Sequence, residues 1–194
     1  MRLKIKNKVL EGEGLTREEA FALADWPLEK LGELLELSRQ VRMRFGGREV
    51  ELCSIINARS GLCSEDCRFC AQSSRYRTGV KTYPLIDPEE ALQKARRMEA
   101  AGARRFALVT SGRSIEEGDF DRVLEIYRLL RAETSLELCA SLGIIDGDKA
   151  HRLREAGVTT YHHNLETIRS YFRKICTTHT FEERTGGVRA AREA

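Results

Sequence analysis

The chain has 194 residues, 41% hydrophobic and 32% charged, with 33 Lys and Arg against 30 Asp and Glu. That length supports one domain with a sizeable core, and a net charge of +3 gives no reason to expect a nucleic-acid partner. The opening segment MRLKIKNKVLEGEG lacks the apolar core and cleavage site of a secretory signal. No stretch approaches the ~20 apolar residues of a membrane span. A cytoplasmic protein without a membrane partner is therefore expected, its six cysteines reduced.

Residues 1–45 read as a helical leader and 46–194 as a second domain. Thr16 and Glu19 form a capping box behind Leu15. Asp25 and Pro27 then open a longer helix with Leu28, Leu31, Leu34, Leu35 and Val41 on one face, closed by Gly46-Gly47.

From there short apolar runs alternate with helical periodicity. Val50–Ile56 suits a strand, followed by a long cysteine-bearing loop, 57–86. Asp87-Pro88-Glu89-Glu90 caps a helix through Ala91, Ala95 and Met98, stopped by Gly102. Arg105–Val109 is a second strand, ending in the turn Thr110-Ser111-Gly112, and Phe120, Val123, Leu124, Tyr127 and Leu130 mark a second helix. Leu136–Leu142 is a third strand and 146–156 a third helix, stopped by Gly157. Thr159–Leu165 is a fourth strand. Thr180 and Glu183 form another capping box opening a last helix, which Gly186-Gly187 weakens.

Strands alternating with helices predict an α/β fold with a parallel sheet. The chemistry-bearing residues fall at the C-terminal ends of strands, where (β/α) barrels place their sites. A closed barrel usually needs about 250 residues, so four predicted strands make a partial TIM-type barrel with two open edges.

Cys63, Cys67 and Cys70 form a Cys-x₃-Cys-x₂-Cys triplet. Structural zinc normally takes four protein ligands, often as two separated pairs. A Cys67-x-x-Cys70 redox pair leaves Cys63 unexplained. Iron–sulfur clusters take cysteine thiolates, usually four, so three imply a cluster with one iron open to another ligand. Zinc, a redox pair and incidental thiols are the alternatives.

The triplet spacing resembles that of the radical S-adenosylmethionine (SAM) superfamily. Within it, SGLCSEDCRFCAQSSRYRTG, YHHNLET (Tyr161–Thr167) and CTTHTFEER (Cys176–Arg184) resemble segments of the biotin synthase family, in order and at matching spacing. The resemblance implies that Cys63, Cys67 and Cys70 ligate a [4Fe-4S] cluster whose open iron takes SAM. An electron would cleave SAM to a 5′-deoxyadenosyl radical, which abstracts hydrogen from dethiobiotin, and an auxiliary iron–sulfur cluster ([2Fe-2S] or a variant) would supply sulfur. Phe69 would lie beside adenine. Asn164 and Glu166, two apart on the fourth strand, would reach the ribose. Arg184 would pair with the methionyl carboxylate.

Cys139 matches a cysteine that ligates the auxiliary cluster, but Ala107 stands where many members carry another such cysteine. Cys53 is a conceivable substitute ligand or a packed core thiol, and Cys176 is ambiguous. Of the adjacent His162 and His163, at most one faces the site. The resemblance further implies an electron donor such as flavodoxin or ferredoxin and a homodimer. It describes the N-terminal portion of such an enzyme, with part of the barrel and much of the substrate pocket beyond Ala194. A related enzyme acting on another substrate, and a catalytically incomplete iron–sulfur fragment, are the rival readings.

Overall fold

The computed structural model describes residues 2–194 and divides into two units, the first ending at Val50 and the second running from Glu51 to Ala194. The first unit holds α1 (Arg2–Leu10), α2 (Arg17–Ala24), a 3₁₀ turn (Leu28–Lys30) and α3 (Leu31–Phe45). Thr16 caps α2 as expected: its hydroxyl accepts from Glu19 N at 3.2 Å, and Glu19 returns a bond to Thr16 N at 2.8 Å. The leucine stripe of α3 is not buried, since Leu31 and Leu35 are 42% and 61% exposed.

The second unit follows as β1 (Cys53–Arg59), α4 (Pro88–Ala100), β2 (Arg105–Thr110), α5 (Glu117–Glu133), β3 (Glu137–Ser141), α6 (Gly147–Glu155), β4 (Val158–Tyr161), α7 (Arg169–Ile175) and α8 (Phe181–Glu193). All strands pair in parallel, in the order β1-β2-β3-β4. Parallel neighbours need a crossover, and α4, α5 and α6 supply the three. Sequential order with helical crossovers is the pattern of part of a (β/α) barrel.

Alternation along each strand decides which side chains face the helices. Phe106 and Leu108 of β2 and Leu138 and Ala140 of β3 point into the main core, against Phe120, Val123, Tyr127 and Leu130 of α5. Ala91 and Ala95, both 0% exposed, let α4 approach closely. Ile55, Ala107, Cys139 and Thr160 form a row across the opposite face by their register.

The helix starts follow their caps. Asp87 accepts from Glu90 N at 2.8 Å and Asp146 from Lys149 N at 2.9 Å. The Thr180–Glu183 box opens α8, which continues through both glycines. Gly187 is buried, and a Cβ there would meet the Ile145 backbone at 3.5 Å.

Two expectations need correction, and one helix was missed. β1 is displaced toward the cysteine loop, running to Arg59 rather than Ile56. β4 ends at Tyr161, not Leu165: its last sheet bond is His162 N to Ala140 O at 2.7 Å. Asn164 and Glu166 therefore lie in the following loop, and Glu166 has a left-handed φ of 65°, which no strand residue adopts. α7 was not foreseen, because it has no side-chain cap and buries only Phe172.

Candidate metal centre

The loop after β1 carries the triplet and is tied to itself by the backbone. Cys63 N donates to Gln72 O at 3.0 Å, Ser74 N to Cys63 O at 2.8 Å, and Cys70 N to Cys67 O at 3.0 Å. Gly61 N donates to Gln72 Oε1 at 2.5 Å. Leu62, between Gly61 and Cys63, has φ 53°, a conformation costing about 1–3 kcal/mol for a branched side chain. It turns the chain into the first cysteine.

A second segment, 175–179, clasps this loop. Asp66 Oδ1 accepts from Thr177 N at 2.8 Å and Thr178 N at 3.2 Å, and Oδ2 accepts from the Thr177 hydroxyl at 2.5 Å. Arg68 N donates to Ile175 O at 3.0 Å. Glu65 accepts from the Thr178 hydroxyl at 2.7 Å and pairs with His179 Nδ1. The Thr177 bonds hold the Asp66 carboxyl well below its ordinary range. Burial opposes ionisation of Glu65, but Thr178 and His179 still hold its carboxyl below the usual value.

Cys63, Cys67 and Cys70 line one cavity of about 270 Å³ together with Phe69, Asn164, Glu166 and Arg184. The structure thus brings every residue expected at the triplet site to one place. The floor comes from the turns after β2 and β3: Ile144 N donates to Arg113 O at 2.7 Å. Gly143 is needed there, with φ +83° and the Arg113 carbonyl where a Cβ would stand. A larger groove of about 590 Å³ lies along β4 beside α6 and α8, but it holds no thiol or histidine.

Burial raises the Cys63 thiol above its ordinary value, and burial plus the neighbouring Cys176 pushes Cys67 up to about 12. Both are therefore protonated without a metal, and ligation releases protons. Phe69 is 54% exposed, so it is not packed in a core. Arg184 donates to Asn164 O at 2.7 Å and to His179 Nε2 at 2.9 Å, with Nη2 4.0 Å from Cys67 Sγ. Its guanidinium is 3.8 Å from Glu166. His163 lines the cavity, while His162 does not. Burial, with Arg184 and His179 nearby, lowers the His163 value to about 4, and its Nε2 has no partner among the described residues.

Cys139 lies apart from that cavity. It is 0% exposed on β3, opposite Ala107. Cys53 is exposed rather than a packed core thiol. Glu65, Asp66 and His179 were not singled out from sequence. Their only signal was the resemblance of the segments that contain them, because the pairing joins residues more than a hundred positions apart.

The model of the Radical SAM superfamily matches residues 59–194, which include the whole triplet. The chain belongs to the radical SAM superfamily. It is 59% identical over 191 residues to a biotin synthase of Pelotomaculum thermopropionicum, covering 98% of this chain and 60% of that protein. It is 49% identical to one of Clostridioides difficile, over 99% of this chain and 60% of the relative. The chain thus spans about 60% of the length of these curated relatives. Among solved structures, methylornithine synthase superposes with a TM-score of 0.81 at 25% identity, over 97% of this chain and 55% of that one. A maturase of the [FeFe]-hydrogenase, at 18% identity and a TM-score of 0.84, shares the fold over 98% of this chain and 43% of its own. The partial barrel is thus the radical SAM fold.

Membership implies a [4Fe-4S] cluster and SAM. The donor set fits: three cysteines, not four, line a single cavity beside an arginine and a protein-derived aromatic face. The fit for an auxiliary cluster is poorer. Among the described residues, Cys139 faces Ala107 across the strand pair, and Cys53 sits at another level of the sheet. No step is derived through that second cluster.

Proposed function

We propose that this chain is the SAM-cleaving portion of a biotin synthase. The observation that carries the reading is the gathering of Cys63, Cys67, Cys70, Phe69, Asn164, Glu166 and Arg184 around one cavity at the strand ends. The 59% identity to a biotin synthase supports it.

In this reading the three cysteines hold the [4Fe-4S] cluster, which when bound supplies the electron that cleaves SAM. Phe69 offers its exposed ring to adenine and keeps water from the cluster's open side. Asn164 and Glu166 offer hydrogen-bonding groups to the ribose. The Arg184 guanidinium is held at the cavity wall by the Asn164 carbonyl, and its forked donors orient the methionyl carboxylate. Glu65 and Asp66 act on the loop itself, fixing it to 177–179 so that the thiols meet the cluster in one arrangement. Cys139 is proposed as a ligand of the auxiliary cluster.

The substrate is dethiobiotin, and the reductant a small electron carrier such as flavodoxin or ferredoxin. The homodimer and cytoplasmic location belong to the same reading. Ala107 favours a second reading, a related radical SAM enzyme with another substrate, because alanine contributes no ligand opposite Cys139.

Anaerobic chain supplied with iron, sulfide, SAM and a reductant should release 5′-deoxyadenosine, and Arg184→Ala should lose most of it while retaining iron. No 5′-deoxyadenosine from an iron-loaded chain would contradict the SAM-cleaving role. Conversion of dethiobiotin to biotin by the whole protein decides between the two substrates.

A further inference from the structure

The clasp that closes on the cysteine loop brings a fourth thiol beside the triplet. Cys176 Sγ lies 3.8 Å from Cys67 Sγ and 3.7 Å from His179 Nε2, and all three side chains are buried. We propose that Cys67, Cys176 and His179 form a separate site for a soft divalent cation, zinc being the natural occupant, in the cluster-free chain.

The spacing is that of tetrahedron edges. Two sulfurs about 2.3 Å from a zinc ion stand about 3.8 Å apart, and a sulfur and an imidazole nitrogen about 3.6 Å apart. The separations in the structure are 3.8 and 3.7 Å, but Cys176 Sγ also lies 3.2 Å from His179 Nδ1, so binding requires the Cys176 side chain to turn from the Nδ1 side of the ring toward Nε2.

The histidine is already prepared. Arg184 Nε donates to His179 Nε2 at 2.9 Å, so that nitrogen carries the lone pair and Nδ1 carries the proton toward Glu65. Carboxylate–histidine pairing of this kind orients a metal-bound imidazole and fixes its tautomer. The cation takes the place of the Arg184 Nε–H, and Arg184 keeps its bond to the Asn164 carbonyl. On binding, the thiol protons of Cys67 and Cys176 leave to solvent, and two thiolates neutralise the double positive charge. Two thiolates with one imidazole suit zinc over the hard cations magnesium and calcium.

Cys63 and Cys70 take no part. Because Cys67 belongs to both sets, zinc here and the [4Fe-4S] cluster exclude one another. The cation site does not depend on the biotin synthase reading, since it is built from thiols and an imidazole present whatever the substrate.

Cobalt(II) is the probe, because its thiolate bonds absorb in the near ultraviolet and its tetrahedral bands in the visible. The cluster-free full chain, titrated anaerobically with cobalt(II), should develop both, and zinc should bleach them. Cys176→Ala and His179→Gln should weaken binding at least tenfold. Cys63→Ser and Cys70→Ser should bind as the parent does. X-ray absorption of the zinc-loaded parent needs no variant and should give two sulfurs and one imidazole nitrogen. Loss of the bands in Cys63→Ser or Cys70→Ser with retention in Cys176→Ala would overturn the proposal in favour of binding by the triplet. Absence of thiolate bands in the parent, or three sulfurs around its zinc, would overturn it too.

Discussion

On the helix-covered face of the sheet, Phe106, Leu108, Phe120 and Ile126 are each 0% exposed, carbon packed on carbon. At the C-terminal rim the buried groups are Cys63, Glu65, Cys67, Cys176 and His179, joined by directed contacts. The face is held by contacts that are individually weak, non-directional and numerous. The rim is held by a few hydrogen bonds whose partners have no substitutes. Damage to the face should therefore appear as lost stability, and damage to the rim as lost chemistry on an intact fold.

Phe120→Ala should have the largest effect. Emptying a fully buried aromatic site costs about 3–5 kcal/mol, read as a lower urea midpoint with an unchanged slope. A cost below about 1 kcal/mol would mean that the face is not the main store of stability. Asp66→Ala comes next. Hydrogen bonds to a charged group are worth about 1.5–3 kcal/mol in total stability terms, toward the low end at a half-exposed site. Amide exchange at Thr177 and Thr178 should accelerate while α5 stays protected. Equal acceleration in both would abolish the distinction between the regions.

A pH dependence separates them further. The His163 value falls from 6.5 to about 4 in the fold, so between those values the unfolded chain binds a proton that the folded chain refuses. Stability should fall as pH drops through that window. His163→Gln should flatten the slope of midpoint against pH above about 5.5, where the unfolded carboxylates are nearly all ionised and contribute little. The smallest effect has the opposite sign. Gly186 lies in α8 with nothing within 4 Å of an added Cβ, so Gly186→Ala should stabilise the chain by up to about 1 kcal/mol.

The same contrast explains what was legible in the sequence. The face announces itself by periodicity: the α5 stripe Phe120, Val123, Leu124, Tyr127 and Leu130 and the alternation in RFALVT need only local geometry. Capping boxes at Thr16 and Thr180 were equally visible, being complete within four residues. The triplet was readable from spacing alone. The clasp was not, since Asp66 meets Thr177 across the whole barrel segment, and no local pattern links them. β4 was overextended for a related reason: YHHNLET carries no glycine or proline to mark the left-handed turn at Glu166. Asn164 and Glu166 reached the cavity from a loop, not from the shared strand face expected of them.

The central claim is that the triplet holds a cluster with one iron left open, and iron and sulfide content after anaerobic reconstitution tests it most directly. The account predicts about four of each per chain at the triplet, lost in Cys63→Ala, Cys67→Ala or Cys70→Ala, whereas Cys139→Ala removes at most the auxiliary cluster's share and keeps these four. A chain that takes up neither iron nor sulfide, or whose content is unchanged by Cys63→Ala, would contradict it.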